Sequence, residues 1–253
     1  MSFLSRGGLS NLAGVIFAVY AATVAAHAQE APASGPSTAE LVEQLNSDEP
    51  VLRNNALERL RSDPDALRDS KIKAALVTLL DKENHVKFSE DDEGYAEYVD
   101  WLAETTAKVV DWTDQRQVCI LADGVYLEDE LADHAKASLP CLLRRFNGAR
   151  NAYRGRVVAM IVQVLAKGRS ELDSVTIQST QETILGALHD TDEHVRADTV
   201  RALGKFGGAD VIPALEDVAK TDNAVDKLDQ SLWIREHAVK AIAQIQKRVQ
   251  AHK

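Results

Sequence analysis

Two imidazoles and three carboxylates lie within six residues in the segment His189-Asp190-Thr191-Asp192-Glu193-His194. Such groups can hold a divalent cation. The segment lacks the HExxH spacing of a zinc-binding helix, and it lies in a turn between two predicted helices. An aspartate in such a turn commonly caps the helix that follows it. We therefore expect Asp190 or Asp192 to be a helix cap, and we predict no metal site.

Acidic side chains are concentrated between positions 90 and 104, where seven acids occur without a base. They are Glu90, Asp91, Asp92, Glu93, Glu97, Asp100 and Glu104. Calcium prefers oxygen ligands, but Asp91-Asp92-Glu93-Gly94 lacks the alternating ligand positions of an EF-hand loop. A charge run of this kind more often forms a solvated loop. We therefore expect no metal or other cofactor in this stretch.

Basic side chains dominate the segment between Cys141 and Val158, which contains no acid. Its five arginines are Arg144, Arg145, Arg150, Arg154 and Arg156. Guanidinium groups bind carboxylates and phosphates bidentately and stack on aromatic rings such as Phe146 and Tyr153. The arginines are therefore candidates for binding an anionic partner or a peptide carboxylate. Alternatively, they pair with the acids at 90–104 or 128–133 and hold adjacent repeats in register.

Cys119 and Cys141 are the only cysteines in the sequence. In an oxidising compartment an even pair suggests one disulfide, which would contribute about 3 kcal/mol by closing the loop between them. Two buried, unpaired thiols on adjacent helices are the alternative, because the sequence cannot supply the Cα separation of about 5.5–6 Å that a bridge needs. Both interpretations remain open at this point.

The N-terminal residues have the pattern of a secretory signal peptide. Met1–Asn11 carries Arg6 and no acid, Leu12–Ala26 is almost wholly apolar, and Ala26-His27-Ala28 provides a small-x-small cleavage pattern. The apolar run is about 15 residues long, shorter than the ~20 of a spanning helix. We therefore predict a signal peptide at 1–28, a Pro-, Ala- and Ser-rich flexible leader at 29–38, and no stable membrane insertion after cleavage. The mature chain is expected to be periplasmic or secreted.

Composition favours helices and disfavours nucleic-acid partners. Hydrophobic residues make up 45% of the chain and aromatics only 5%, and the abundant Ala, Leu, Glu and Arg lose little rotamer freedom in a helix. The formal net charge is −10, and a negative surface is repelled by phosphate backbones and anionic membranes. We therefore expect no nucleic-acid partner.

An internal repeat organises the rest of the chain. The pattern of Asp192–Gly207 returns 39 residues later in Trp233–Ile245, and its frame is also present in Leu52–Leu60 and in Val157–Leu165. In each copy, apolar residues recur along one helical stripe. The motif Asp-x-x-x-Val/Ile-Arg resembles the first helix of a HEAT repeat, and Asp210–Ala219, with its Ile-Pro-x-Leu start, resembles the second. This period is close to the ~40 residues of HEAT and armadillo arrays.

The resemblance implies an all-α fold, an α-α superhelix of the HEAT type with roughly five helix pairs over residues 39–250. Turn residues and periodicity predict helices at 39–46, 50–62, 69–82, 95–110, 115–124, 129–147, 153–167, 175–188, 193–205, 210–220 and 231–250.

No pattern of catalytic residues is recognisable, since GxSxG, P-loop, GxGxxG and CxxC motifs are all missing from the sequence. Solenoids present extended concave surfaces to proteins and peptides. We therefore predict a non-enzymatic protein- or peptide-binding scaffold of the cell envelope. A lyase-type enzyme or enzyme subunit is one alternative, because bilin lyases resemble HEAT-like repeat proteins, and a structural envelope assembly factor is the other.

Overall fold

In the computed structural model, the described residues are 36–86, 93–124, 127–148, 154–225 and 232–251. The predicted signal peptide at 1–28 and most of the predicted leader at 29–38 lie outside these ranges. Within them, no helix combines the length and the apolar character that crossing a bilayer requires.

The protein is an all-α superhelix, and the described residues form twelve α-helices without any strand. We number the helices in chain order. They are α1 Thr38–Leu45, α2 Pro50–Ser62, α3 Ser70–Glu83, α4 Glu93–Ala107, α5 Gln115–Asp123, α6 Glu128–Asp133, α7 Ala135–Asn147, α8 Arg154–Lys167, α9 Ser174–Ala187, α10 Glu193–Phe206, α11 Ile212–Thr221 and α12 Trp233–Ala251.

Helix starts follow from recurring side-chain caps. Asp69, Asp114 and Asp173 each accept hydrogen bonds from backbone N–H groups in the first turn of α3, α5 and α9. Asp192 accepts one from the His194 N–H at 2.9 Å and so caps α10, as predicted. These carboxylates satisfy donors that the first helical turn leaves unpaired.

The single helix predicted at 129–147 is wrong, because the chain breaks into α6 and α7 at His134, which has a non-helical backbone (φ −125°, ψ 44°). The Ser138 hydroxyl donates to the Leu131 carbonyl at 2.6 Å, compensating a carbonyl that the break releases. The His134 ring stacks on Trp112, with ring centroids 3.9 Å apart. Neither contact is visible in the local sequence, which has no Gly or Pro at the break.

The helices are arranged in two rows, odd-numbered and even-numbered. In the N-terminal part the odd row is continuous, since α1 packs on α3, α3 on α5 and α5 on α7. In the C-terminal part the even row takes over, with α6 on α8, α8 on α10 and α10 on α12. Helix α7 also packs against α8, so the stacking changes from one row to the other there.

One apolar core runs through both rows. Its largest fully buried members include Leu57, Leu76, Leu102, Leu121, Leu139, Leu142 and Met160, and it continues through Val200 and Leu215 to Ile245. A solenoid repeat buries its apolar faces only against its neighbours. The described helix pairs therefore share one continuous core.

Candidate partner-binding grooves

Arg145 and Arg154 have intrachain partners. Arg145 donates to the carbonyls of Ala122 at 2.7 Å and Gly124 at 3.1 Å, at the C-terminal end of α5. Arg154 forms an ion pair with Asp190 at 2.8 Å, donates to the Phe146 carbonyl, and lies over the Phe146 ring. Both guanidiniums therefore join helices of the solenoid.

Two of the other three predicted site arginines, Arg144 and Arg156, are exposed on different helices. Arg144 is exposed on α7, where its charge acts on Asp123. Arg156 is exposed on α8, where it acts on Asp100. Arg150 lies outside the described residues.

A recurring arginine of the repeat motif joins the two helices of a pair. Arg53 on α2 binds Glu83 at the end of α3 at 3.3 Å and donates to the Ser47 carbonyl at 2.9 Å. Arg196 on α10 binds Asp222 after α11 at 2.7 Å and donates to the Asp190 carbonyl at 2.9 Å. In both, the carbonyl belongs to the residue six positions earlier. These equivalent contacts give a structural reason why the arginine recurs in the sequence motif.

The first of these arginines belongs to a buried polar network that the sequence did not reveal. The side chains of Arg53 and Glu83 are only 9% and 3% exposed. Tyr95 donates to Glu83 at 2.6 Å, and Arg53 donates to the Tyr98 hydroxyl at 3.1 Å. Burial and the nearby Glu83 carboxylate raise the pKa of Tyr98 to about 12, so its hydroxyl stays protonated. Helices α2, α3 and α4 are thus held together by charge as well as by packing.

The acidic stretch is described at Glu97, Asp100 and Glu104, whereas the side chains of Glu90, Asp91, Asp92 and Glu93 lie outside the described part. Glu97 and Glu104 are exposed, but Asp100 is half-buried, with an Oδ1 atom that has no hydrogen-bond partner. Burial, and then the Glu104 carboxylate, raise the pKa of Asp100. Among the described residues, no group of three or more His, Cys, Asp or Glu is arranged to hold a metal ion.

Cys119 on α5 and Cys141 on α7 form a disulfide, with a Cα–Cα distance of 5.0 Å. The Gln115 side chain donates to the Cys141 sulfur at 2.7 Å and to the Ala137 carbonyl at 3.1 Å. The bond therefore links two consecutive helices of the odd row. It lies just before the stacking changes to the even row.

An apolar groove of about 320 Å³ opens between α8, α9 and α10. The apolar groove is lined by Val162, Leu165, Ile184, Leu185, Leu203, Phe206 and Val211, among others. Most of these side chains also belong to the core, but Leu185 is 37% exposed. Sequence periodicity did not find this groove, because its lining residues come from three different helices.

Polar side chains form the rim of the apolar groove. The Gln181 amide donates to the Asp210 carboxylate at 3.1 Å, which joins α9 to the segment before α11. Arg169 also lines the groove, and its exposed guanidinium has no ion pair or hydrogen bond within the described residues. An apolar floor with one available cation suits an apolar side chain that has a carboxylate or carbonyl nearby.

A family model described as HEAT repeats matches residues 142–229, about a third of the chain. No curated protein matches the chain. The chain is thus an α-solenoid by its helix arrangement, with a match to HEAT repeats over residues 142–229.

Similar solved structures are designed armadillo repeat proteins. One, in complex with the peptide (KR)4, is 16% identical with a TM-score of 0.45, and the match covers 83% of this chain and all of that one. Another, designed for modular peptide recognition, is 17% identical with a TM-score of 0.37, covering 82% of this chain and 99% of that one.

Proposed function

We propose that this protein is a non-enzymatic binding scaffold that holds an extended protein segment in the apolar groove between α8, α9 and α10. The observation that carries this proposal is the groove itself, a recess of about 320 Å³ whose floor is formed by core side chains and whose edge includes the exposed Leu185. A mostly apolar recess with a few polar groups at its rim is the usual form of a binding site.

The chemistry of the groove defines the kind of partner. Ile184 and Leu203 form a floor that suits an aliphatic or aromatic side chain. Arg169 at the rim is available to a carboxylate or a backbone carbonyl of the same segment, while Gln181 and Asp210 already satisfy each other. We therefore expect a peptide with an apolar anchor that lies close to an acidic residue.

We further propose that the protein acts outside the cytoplasm, in the periplasm or cell envelope or as a secreted protein. Two features support this location, the signal-peptide pattern at 1–28 and the Cys119–Cys141 disulfide. Disulfides form and persist in oxidising compartments and are rare where thiols are kept reduced.

The experiment uses the purified protein as bait for an envelope fraction, with Leu185→Asp as the test variant. Leu185 is exposed enough to be replaced without opening the core, yet a carboxylate there would be buried by an apolar partner side chain. We expect the wild-type protein to capture a partner in stoichiometric amounts and the variant to lose it.

Val51→Asp is the matched control, because Val51 is an exposed apolar residue on α2, far along the chain from the groove. It should capture the same partner as the wild type. Equal capture by all three proteins would show that the groove is not the binding site. Loss of binding in the control as well would show that the capture depends on general surface hydrophobicity. Capture of one fixed, large complex would instead favour a structural assembly factor.

A further inference from the structure

A second groove, of about 400 Å³, lies between α10 and α12. We call it the basic groove, and it is lined by Arg201, Lys205, His237, Lys240, Gln244 and Arg248. The first two residues project from α10 and the other four from α12. Four permanent cations therefore surround one recess in a chain whose net charge is −10.

Close packing of the two helices forms the floor of the basic groove. A Cβ atom added at Gly204 would lie 2.9 Å from the Ala241 Cβ and 2.7 Å from the Gln244 side chain. Glycine therefore allows α10 and α12 to approach closely at this point. Arg248 closes one end by donating to the carbonyls of Gly204 at 3.0 Å and Gly207 at 2.6 Å.

The cations differ in how far the chain already uses them. Arg248 is committed to the carbonyls at the end of α10, and Arg201 forms an ion pair with Asp198. Lys205 lies over the Phe206 ring, 4.9 Å from its centroid, and is exposed. Lys240 is also exposed and makes no ion pair or hydrogen bond with any described residue. Lys205 and Lys240, one on each wall, are therefore available to a ligand.

We infer that the basic groove binds an acidic, extended segment of a partner protein. Arg201 and Lys205 are one helical turn apart, as are Lys240 and Gln244, which separates them by about 6 Å along each wall. Alternate side chains of an extended peptide lie about 6.6–6.8 Å apart on one side of the backbone. Carboxylates at alternate positions therefore match the spacing of Arg201 and Lys205 on one wall, while Lys240 and Gln244 provide a cation and an amide donor on the other.

Other anions fit this arrangement less well. A single phosphate would need cations that converge on one point, whereas these lie along two helix walls. A flat anionic bilayer could contact the exposed Lys205 and Lys240, but it would leave the recess between the two helix walls empty. The inference is independent of the apolar groove, which uses the opposite-facing residues Leu203 and Phe206 of the same helix.

The test measures binding of a fluorescent peptide with glutamate at alternate positions to the purified protein by anisotropy. The test variant is Lys205→Glu with Lys240→Glu, and the control is Lys136→Glu with Lys220→Glu. The control lysines are exposed, lie outside the groove and change the net charge by the same amount. We expect the test variant to weaken binding by about tenfold or more and the control by about twofold or less. Added salt should weaken wild-type binding, because the contacts are exposed charge pairs.

A substitute variant, a competition with phosphate and a vesicle co-sedimentation assay complete the test. If the glutamate variant does not fold, as judged by circular dichroism, the pair Lys205→Gln and Lys240→Gln replaces it with the same expectation. Inorganic phosphate at equal ionic strength should compete no better than chloride. Vesicles rich in phosphatidylglycerol should not co-sediment the protein. Absence of peptide binding, equal weakening in the control variant, or binding to vesicles alone would each overturn the inference.

Discussion

The N-terminal and C-terminal parts of this solenoid use the same motif arginine in different electrostatic settings. Residues 36–124 contain 20 acidic and 10 basic residues, whereas residues 125–253 contain 18 of each, so the whole net charge belongs to the N-terminal part. There, Arg53 is enclosed by Glu83, Tyr95 and Tyr98. The C-terminal ion pair of Arg196 and Asp222 is similarly buried, so the two settings differ in the partners of the arginine rather than in burial.

The C-terminal counterpart, the ion pair of Arg196 and Asp222, makes additional hydrogen bonds that involve backbone groups. Asp222 accepts from Arg196 and from the Ala224 N–H, while its carbonyl accepts from Arg235 of α12. Helices α8, α10 and α12 also pack closely along the even row. The motif arginine therefore joins the two helices of a pair through different partners in the two regions. The residues around each copy determine how much that copy contributes to stability.

The largest effect is expected from Arg53→Ala. Removing the guanidinium leaves the Glu83 carboxylate buried beside two tyrosines without a cation, a change that typically costs about 3–5 kcal/mol. Arg196→Ala should cost less, because Asp222 keeps the nearby charge of Arg235 as well as the Ala224 N–H donor. Urea unfolding of both variants measures the difference. Equal losses would break the proposed contrast between the two regions.

Loss of the disulfide comes next. The double variant Cys119→Ser and Cys141→Ser should lower the free energy of unfolding by about 3 kcal/mol. The reason is that the unfolded chain is no longer restricted by a loop closed between two cysteines 22 residues apart. Wild-type protein with and without a reducing agent provides the matching measurement by thermal unfolding. An unchanged midpoint in both experiments would show that the bridge does not stabilise the junction between the rows.

Substitutions of Arg154 and Arg144 should distinguish a structural arginine of this segment from an exposed one. The Asp190 side chain is only 8% exposed, so Arg154→Ala should cost about 1–3 kcal/mol by leaving that carboxylate poorly compensated. Arg144→Ala, at an exposed position, should stay within about 0.5 kcal/mol of wild type. If chemical unfolding gives the reverse order, the ion pair with Asp190 is not a structural contact.

The pH dependence of stability should report on Asp222. Burial acts to raise its pKa, but hydrogen bonds from Arg196 and Ala224 act more strongly together, and the pKa of Asp222 is lowered. The folded state then binds the proton more weakly than the unfolded state. This contribution is complete above the unfolded pKa of about 3.9 and is lost as pH falls through the lower folded value. Asp222→Asn should reduce the acid-dependent loss measured by urea unfolding at successive pH values.

The smallest effect, and one of opposite sign, is expected from Asp100→Asn. Burial and the Glu104 carboxylate raise the pKa of Asp100, so the ionised form is disfavoured in the folded state at neutral pH. A neutral amide should therefore raise stability slightly, and the gain over wild type should shrink as pH falls and Asp100 becomes protonated. A clear loss of stability at neutral pH would show that the contact with Arg156 outweighs burial.

Sequence periodicity predicted most of the helices because each buries a regular apolar stripe, and capping aspartates such as Asp192 located their starts. It did not predict the break at His134, whose ring stacks on Trp112 in the turn between α4 and α5. The sequence left open whether Cys119 and Cys141 form a disulfide or remain free thiols, because only the packing of α5 on α7 brings them together. The arginine segment looked like one cationic surface, but Arg145 donates to carbonyls at the C-terminal end of α5, and Arg154 binds Asp190 in the turn before α10. Neither groove was predicted, because each is lined by residues from different repeats rather than from one.

The most direct test of the binding function is site-specific photo-cross-linking in cells that express the full chain. A photoreactive side chain is placed at Leu185 in the apolar groove and, separately, at Val51 on α2. We predict a discrete cross-linked protein from position 185 and none from position 51. Cross-linking from position 51 alone, or from neither position, would contradict the assignment of the apolar groove as the partner-binding site.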